Sequence, residues 1–254
     1  MKRKVTKIVI VLAILVVLVS IFYVVVTMAA DRGRPYYENA GKIVWDIKTE
    51  EKIIALTFDD GPHKKYTNEV LDLLNKYDAK GTFFVVGEQV EKNPEVILRM
   101  YEEGHELANH TYSHPFKSTV PQLMEEIEQT NDAIFSITGY APKLFRPVEG
   151  LYTDALIEEV VKDGYKVVMW SWHLDTEDWK DPGVKRIVDI VLKGSRKGNV
   201  VLFHDGGGNR KQTVEALAQI LPVLQKEGYK FVTISDLLQV QQKSKVQQEN
   251  AGKS

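Results

Sequence analysis

Asp59 and Asp60 stand side by side after the apolar run Ile53-Ile54-Ala55-Leu56, and Gly61-Pro62 follows at once. The run reads as a buried strand that delivers both acids to a turn at a sheet edge. Adjacent carboxylates repel unless a proton or a cation lies between them. One of the two can bind a metal while its neighbour stays free as a base; a solvated Asp-Asp-Gly turn is the plainer alternative. His110 and His114 lie four residues apart in His110-Thr111-Tyr112-Ser113-His114. Neutral imidazole is the commonest metal ligand. With one Asp, the pair makes a two-His, one-carboxylate set with open positions, suited to a metal that activates water. On its own, a His pair at this spacing is also an ordinary surface feature. His63, His105 and His173 fit no metal position and read as structural or surface residues.

These groups need elements to position them. Short apolar, β-prone runs predict strands at 53–58, 82–86, 106–110, 143–146, 166–171, 199–204 and 230–234, with residues 43–47 adding a short hairpin strand before the first. Between them lie helical patterns: Leu123, Ile127, Ile134 and Ile137 in one, Val214, Leu217, Leu221 and Leu224 in another. Thr153 offers an N-cap before Leu156 and Val160. Seven such alternations indicate an α/β fold with a parallel sheet. Asp59 and Asp60 then follow the first strand, His110 and His114 the third, and Arg146 the fourth. Asp175, Asp178 and Trp179 follow the fifth, and His204 and Asp205 the sixth. All of these fall at the C-terminal ends of strands, the face that carries the active site in barrel-like α/β folds.

The chain has 254 residues, 44% of them hydrophobic, enough for one full core with additions at the ends. It contains no cysteine, which excludes a disulfide framework and a thiolate metal site. Its formal charge is −2, and the first thirty residues hold four basic groups and no acid, so the remainder is acidic and carries no basic stripe. No nucleic-acid partner is expected. Residues 8–26 form a nineteen-residue apolar run behind Lys2, Arg3, Lys4 and Lys7. That length spans a bilayer, and the basic flank keeps the N-terminus cytoplasmic. Residues 1–30 are thus expected to be a cytoplasmic flank and transmembrane anchor, with a cleaved signal peptide as the alternative. The rest of the chain is expected outside the cytoplasm. Residues 31–45 read as a polar stalk, 46–238 as the catalytic domain, and 239–254 as a disordered tail.

The five segments TFDDGP at 57–62, HTYSH at 110–114, RPVEG at 146–150, DTEDW at 175–179 and LFHD at 202–205 resemble, in order, the motifs of the polysaccharide deacetylase family, the NodB-homology domain of carbohydrate esterase family four. The resemblance covers about residues 52–238. It implies an irregular (β/α)7 barrel, here preceded by one transmembrane helix. It also implies a divalent metal, zinc or else cobalt or another divalent ion, on Asp60, His110 and His114. By the same resemblance Asp59 would be the general base and Arg146 would hold it in position. His204 would be the general acid, oriented by Asp178. Trp179 and Leu202 would line the pocket for the acetyl methyl. The chain departs from the family where Val148-Glu149 replaces Pro-Tyr in the third motif. There the backbone N–H at position 149 would help bind the oxyanion, while the Glu149 side chain would touch substrate. The implied activity is N-deacetylation of a cell-wall polysaccharide at the outer face of the membrane, with peptidoglycan N-acetylglucosamine first. Other amino-sugar substrates are N-acetylmuramic acid, chitin-type oligomers or an exopolysaccharide. Two rivals remain at this point. One is a non-catalytic wall-binding relic of the fold. The other is a non-heme iron oxygenase using His173, Asp175 and His204, whose β-helix the βα alternation opposes.

Overall fold

The computed structural model describes residues 32–251. The chain divides into a short unit ending at Tyr36 and a unit from Tyr37 onward. The expected transmembrane anchor, with its basic flank, lies outside the described residues. Among the described residues no helix is long and apolar enough to cross a membrane.

In chain order the strands are β1 (Ile43–Val44), β2 (Ile53–Asp59), β3 (Gly81–Val85), β4 (Glu106–Asn109), β5 (Leu144–Phe145), β6 (Lys166–Val168), β7 (Val200–His204) and β8 (Lys230–Phe231). The helices are α1 (Arg34–Asn39), α2 (Tyr66–Lys76), α3 (Gly87–Lys92), α4 (Pro94–Glu102), α5 (Val120–Thr138), α6 (Asp154–Lys162), α7 (Val184–Gly194), α8 (Lys211–Lys226) and α9 (Ile234–Ala251). The sheet order is β1-β6-β5-β4-β3-β2-β7, with β8 added to the start of β2, and all of these ladders are parallel.

The parallel α/β class is as expected, but the barrel is a half-barrel. Among the described residues no ladder joins β7 back to β1 or β6; the isolated bridges Asp46–Asn199 and Asp175–Leu202 and single bonds such as Ser171 N–H to Val200 O cross that gap. Residues 43–47 form no hairpin: β1 runs parallel to β6, with Ile43 opposite Val167. Strands β5 and β6 are shorter than their apolar runs suggest. At the end of β6 the carbonyls of Val168 and Met169 accept from the Arg146 side chain.

Every residue of β2 is buried, as a strand covered on both faces requires. Side chains alternate along it. Ile54, Leu56 and Phe58 join a cluster with Leu71, Leu74, Leu217 and Ile220 of the helices, where Phe58 stacks on Phe83 at 4.9 Å and on Phe203 at 5.7 Å. Ile53 and Ala55 face a second cluster with Phe84, Val168, Val200 and Leu237. By the same alternation Thr57 and Asp59 point into this inner face, so one strand carries both a core and a catalytic edge.

The expected stalk needs correction from Tyr37 onward. Tyr37 is fully buried, its hydroxyl donates to Asp154, and Ile43 and Trp45 pack with Phe145 and Ile157. Three large apolar side chains are enough to dock a segment whose average composition is polar. The tail also differs from expectation: α9 continues as far as Ala251. Ile234 and Leu237 bury its first turn, and the Gln-, Lys- and Glu-rich continuation consists of good helix formers. Helix α5 begins on a capping box, Thr119 with Gln122, and α6 on Thr153, whose hydroxyl accepts from Leu156 N–H.

Candidate active site

The C-terminal ends of six strands, β2 to β7, converge on one cleft of about 570 Å³. At the end of β2, Asp59 is buried and its Oδ1 accepts from Arg146 Nη1 at 2.6 Å. Arg146 follows β5 and is completely buried. Its guanidinium uses four of its five donors: besides the bond to Asp59, Nε donates to Val168 O at 3.0 Å, Nη1 to Thr57 Oγ1 at 3.0 Å, and Nη2 to Met169 O at 2.8 Å. It lies over the Phe84 ring, 3.9 Å from the centroid. Burial pushes Arg146 below its ordinary value, with the Asp59 carboxylate opposing that shift. A buried charge is tolerated when paired and hydrogen-bonded in this way.

Asp60 turns in the opposite sense, with φ 70. Its Oδ1 lies 3.2 Å from His114 Nε2 and 3.6 Å from His110 Nε2. Burial opposes the Asp60 charge, but the two imidazoles and His204 outweigh it and hold the carboxyl well below the usual range. Thr111 and His114 also have positive φ, 69 and 56. Such backbone conformations persist only where the surroundings enforce them.

The ring of His110 is oriented by its partner: Nδ1 lies 2.8 Å from Arg146 O. An N–H donated to that carbonyl leaves Nε2 as a bare lone pair facing Asp60. Burial lowers the His110 pKa and keeps the ring neutral. The ligand atoms of Asp60, His110 and His114 all lie within 4.8 Å of one another, the one such cluster among the described residues. The donor set, its spacing and the fixed tautomer fit a divalent cation.

At the end of β7, His204 Nδ1 meets Asp178 Oδ1 at 2.7 Å. Asp178 is itself held: its Oδ2 accepts from His204 N–H at 2.9 Å and from Thr213 Oγ1 at 2.6 Å. Burial disfavours charge on His204, but the Asp178 carboxylate overrides it and pushes the imidazole up to about 9. Burial likewise opposes the Asp178 charge, and the bonds from His204 and Thr213 bring its pKa down. Beside them Asp205 is wholly buried and accepts from the Thr67 hydroxyl. Burial pushes its carboxyl up to about 7.

Trp179, 53% exposed, and Leu202, buried, both line the cleft. So does Glu149, exposed at φ 54 in the turn after β5. The structure therefore brings together every candidate: Asp59, Asp60, His110, His114, Arg146, Glu149, Asp178, Trp179, Leu202 and His204.

The three remaining histidines lie elsewhere. His105 Nδ1 accepts from Gly81 N–H, and burial pushes it down to about 4. His63 Nδ1 accepts from the N–H groups of Lys65 and Tyr66. His173 Nε2 lies 3.2 Å from Gly194 O. An iron site on His173, Asp175 and His204 is thereby excluded in this arrangement. Sequence reasoning missed Thr57, Thr213 and Arg210. Thr57 opens the TFDDGP segment but was given no role there, and Thr213 is a common residue outside every motif. Arg210 stands five residues beyond the last motif, in a Gly-Gly-Gly-Asn-Arg run that was itself the available signal.

Residues 46–168 match the sequence profile of the family described as polysaccharide deacetylase. The chain is 46% identical over 206 residues to a peptidoglycan-N-acetylglucosamine deacetylase of Bacillus cereus, covering 81% of this chain and 97% of that protein. It is 40% identical over 196 residues to the peptidoglycan-N-acetylmuramic acid deacetylase PdaC of Bacillus subtilis, covering 76% of this chain and 40% of that protein. Its structure is similar to that of the Bc1960 peptidoglycan N-acetylglucosamine deacetylase, with a TM-score of 0.76 and 35% identity over 79% of this chain and 94% of that one. A parallel half-barrel with all five motifs on one rim, and a relative matched over nearly its whole length, lead to one conclusion: this chain belongs to the polysaccharide deacetylase family.

Proposed function

We propose that this protein hydrolyses the N-acetyl group of amino sugars in a cell-wall polysaccharide, with peptidoglycan N-acetylglucosamine as substrate, in a divalent-metal-dependent reaction. One observation carries the reading. Around a single three-ligand cluster stand a carboxylate locked by an arginine, Asp59 with Arg146, and an imidazole locked by a carboxylate, His204 with Asp178. Amide hydrolysis needs that opposition of base and acid.

A divalent cation on Asp60, His110 and His114 would supply water that ionises near neutrality, positive charge beside the developing oxyanion, and a field that draws the His204 value down from about 9. Asp59 takes a proton as the water oxygen bonds to the acetyl carbon. The main-chain N–H of Glu149 faces the oxyanion. His204 gives its proton to the sugar nitrogen as the C–N bond breaks, and acetate and a free amine result. Trp179 and Leu202 enclose the acetyl methyl. The relative named for N-acetylglucosamine supports that sugar. The apolar run at 8–26 supports placement of the cleft outside the membrane, beside the wall.

The test is acetate release from purified peptidoglycan and from chitin oligomers, with sugar analysis of the product. No acetate from any glycan, by folded and metal-loaded protein, refutes the activity. Glucosamine is the expected new sugar.

His204 works protonated, so activity is expected to fall as pH rises through its pKa. The alkaline limb of kcat/KM should lie above the ordinary 6.5 of histidine and below about 9. In Asp178→Asn the limb should move to lower pH, because the group that raises His204 has lost its charge. An unmoved limb would assign it to another residue.

Glu149 is proposed to tune the choice of substrate. Its carboxylate adds negative charge to the cleft that receives the sugar, which disfavours a reacting sugar with its own lactyl carboxylate. Glu149→Tyr is expected to change the relative rates on neutral and acidic substrates, while turnover on the best one stays within about tenfold, ~1.4 kcal/mol of barrier. A loss beyond a thousandfold on every substrate, with folding and metal content intact, would place Glu149 in the chemistry itself.

A further inference from the structure

Arg146 and Arg210 both line or underlie the cleft, and they are treated very differently. Arg146 spends its guanidinium on four acceptors. Arg210 lies in the Gly206-Gly207-Gly208-Asn209-Arg210 loop between β7 and α8 and is only 5% exposed. Its Nε donates to Gly206 O at 2.6 Å. Among the described residues, no acceptor meets Nη1 or Nη2 and no carboxylate pairs with them.

The loop is built closely around this group. A Cβ on Gly207 would sit 3.2 Å from Arg210 Nη2 and 2.6 Å from Asp60 Oδ2, and one on Gly206 would sit 2.0 Å from Asp60 O. Only glycine lets the loop pass between the guanidinium and the metal-ligand turn. Asn209 holds the loop from outside, accepting from Lys211 N–H at 3.1 Å and from Tyr66 Oη at 2.8 Å. Arg210 faces the same cleft as Asp59, Asp60 and His204.

The Arg210 side chain is packed into the cleft wall while its two Nη nitrogens open onto the cleft, where an anionic ligand can complete them. Two free nitrogens of a planar guanidinium match the two oxygens of a carboxylate. We infer that Arg210 is a carboxylate-binding residue of the cleft, its Nη1 and Nη2 taking a carboxylate that arrives on the substrate polymer or forms as the acetate product. The identity of those two sources rests on the deacetylase reading; the site itself does not. Glu149 does not contradict it, because the two charges belong to different walls. They follow β5 and β7, which β4, β3 and β2 separate in the sheet.

The experiment uses the full chain and its Arg210→Gln and Arg210→Lys variants at matched metal content. Sodium acetate binding is measured by calorimetry, which needs no turnover. The ratio of kcat/KM between carboxylate-bearing peptidoglycan fragments and neutral chitin oligomers is measured alongside. If acetate is the ligand, Arg210→Gln should weaken its binding at least about tenfold, and Arg210→Lys, which keeps the charge but loses the fork, less than that. If the polymer supplies the carboxylate, acetate binding holds and the kcat/KM ratio falls at least about tenfold in Arg210→Gln. Acetate binding and ratio both within twofold of wild type, in folded Arg210→Gln, overturn the inference. Should that variant not fold, Arg210→Lys decides on the same two readouts. Wild-type protein that releases no acetate from any glycan removes the proposed activity and leaves the calorimetric test standing.

Discussion

Asp59→Asn is expected to lose about 10²–10⁴-fold in kcat/KM, the usual worth of a positioned base. The carboxylate is specifically placed for that role. Oδ1 is held at 2.6 Å by Arg146, and Oδ2 lies 3.9 Å from His110 Nε2, at the edge of the ligand cluster. Asparagine keeps the shape and an acceptor for Arg146 but cannot take a proton. It also leaves the buried guanidinium with neutral partners only, so the melting temperature should fall. Rates are therefore compared well below both transitions, on protein of equal metal content. Turnover within tenfold of wild type would put the base elsewhere.

Removal of the metal is expected to have the largest effect. Exhaustive chelation should take acetate release down by more than about a thousandfold, over 4 kcal/mol of barrier, and zinc or cobalt should restore it. His114→Ala should not recover on addition of metal at wild-type concentrations. His114 is the least buried of the two imidazoles and the one nearest Asp60, at 3.2 Å. Its loss leaves a two-ligand site. Metal content measured alongside separates failure to bind from failure to react. Full activity of the chelated His114→Ala protein would remove the metal from the proposal altogether.

The face that carries the chemistry was legible in the sequence because parallel strands buried on both sides leave long apolar runs, and each run here ended on a polar cluster. Ile53 to Phe58 announces β2 without ambiguity, and Asp59 and Asp60 fall at its end. Shorter strands were less legible. β5 has only two residues in the ladder, and the carbonyls at the end of β6 accept from the Arg146 side chain. Tyr37 and Trp45 sit singly in polar surroundings, so no window average finds them, yet both are fully buried. The disorder expected of residues 239–254 rests on their polar composition, a pattern that marks exposure and says little about backbone state, and α9 runs through them as far as Ala251. Thr213 and Arg210 were missed for other reasons. Thr213 reaches Asp178 across the fold, over a sequence separation that no local pattern encodes, whereas Arg210 bonds only four residues back, to Gly206, and its glycine-rich run lies outside the five motifs.

The four bonds of the Arg146 guanidinium also bear on the width of the cleft. Among the described residues no continuous ladder closes the half-barrel, and its gap is spanned by separate bonds such as Ser171 N–H to Val200 O and Thr176 Oγ1 to Leu202 O. Arg146 acts as a cross-tie. Its side chain grips β2 at Thr57 and Asp59 and the end of β6 at Val168 and Met169, while its own carbonyl aligns His110 beyond β4. Base and ligand are thus referenced to one residue, and any flexing of the open rim carries them together. Loosening that tie means pulling a charge out of the protein interior, so the site is expected to lose its geometry only when the domain melts. Heat or denaturant should then produce a single coincident curve for activity and for tertiary structure.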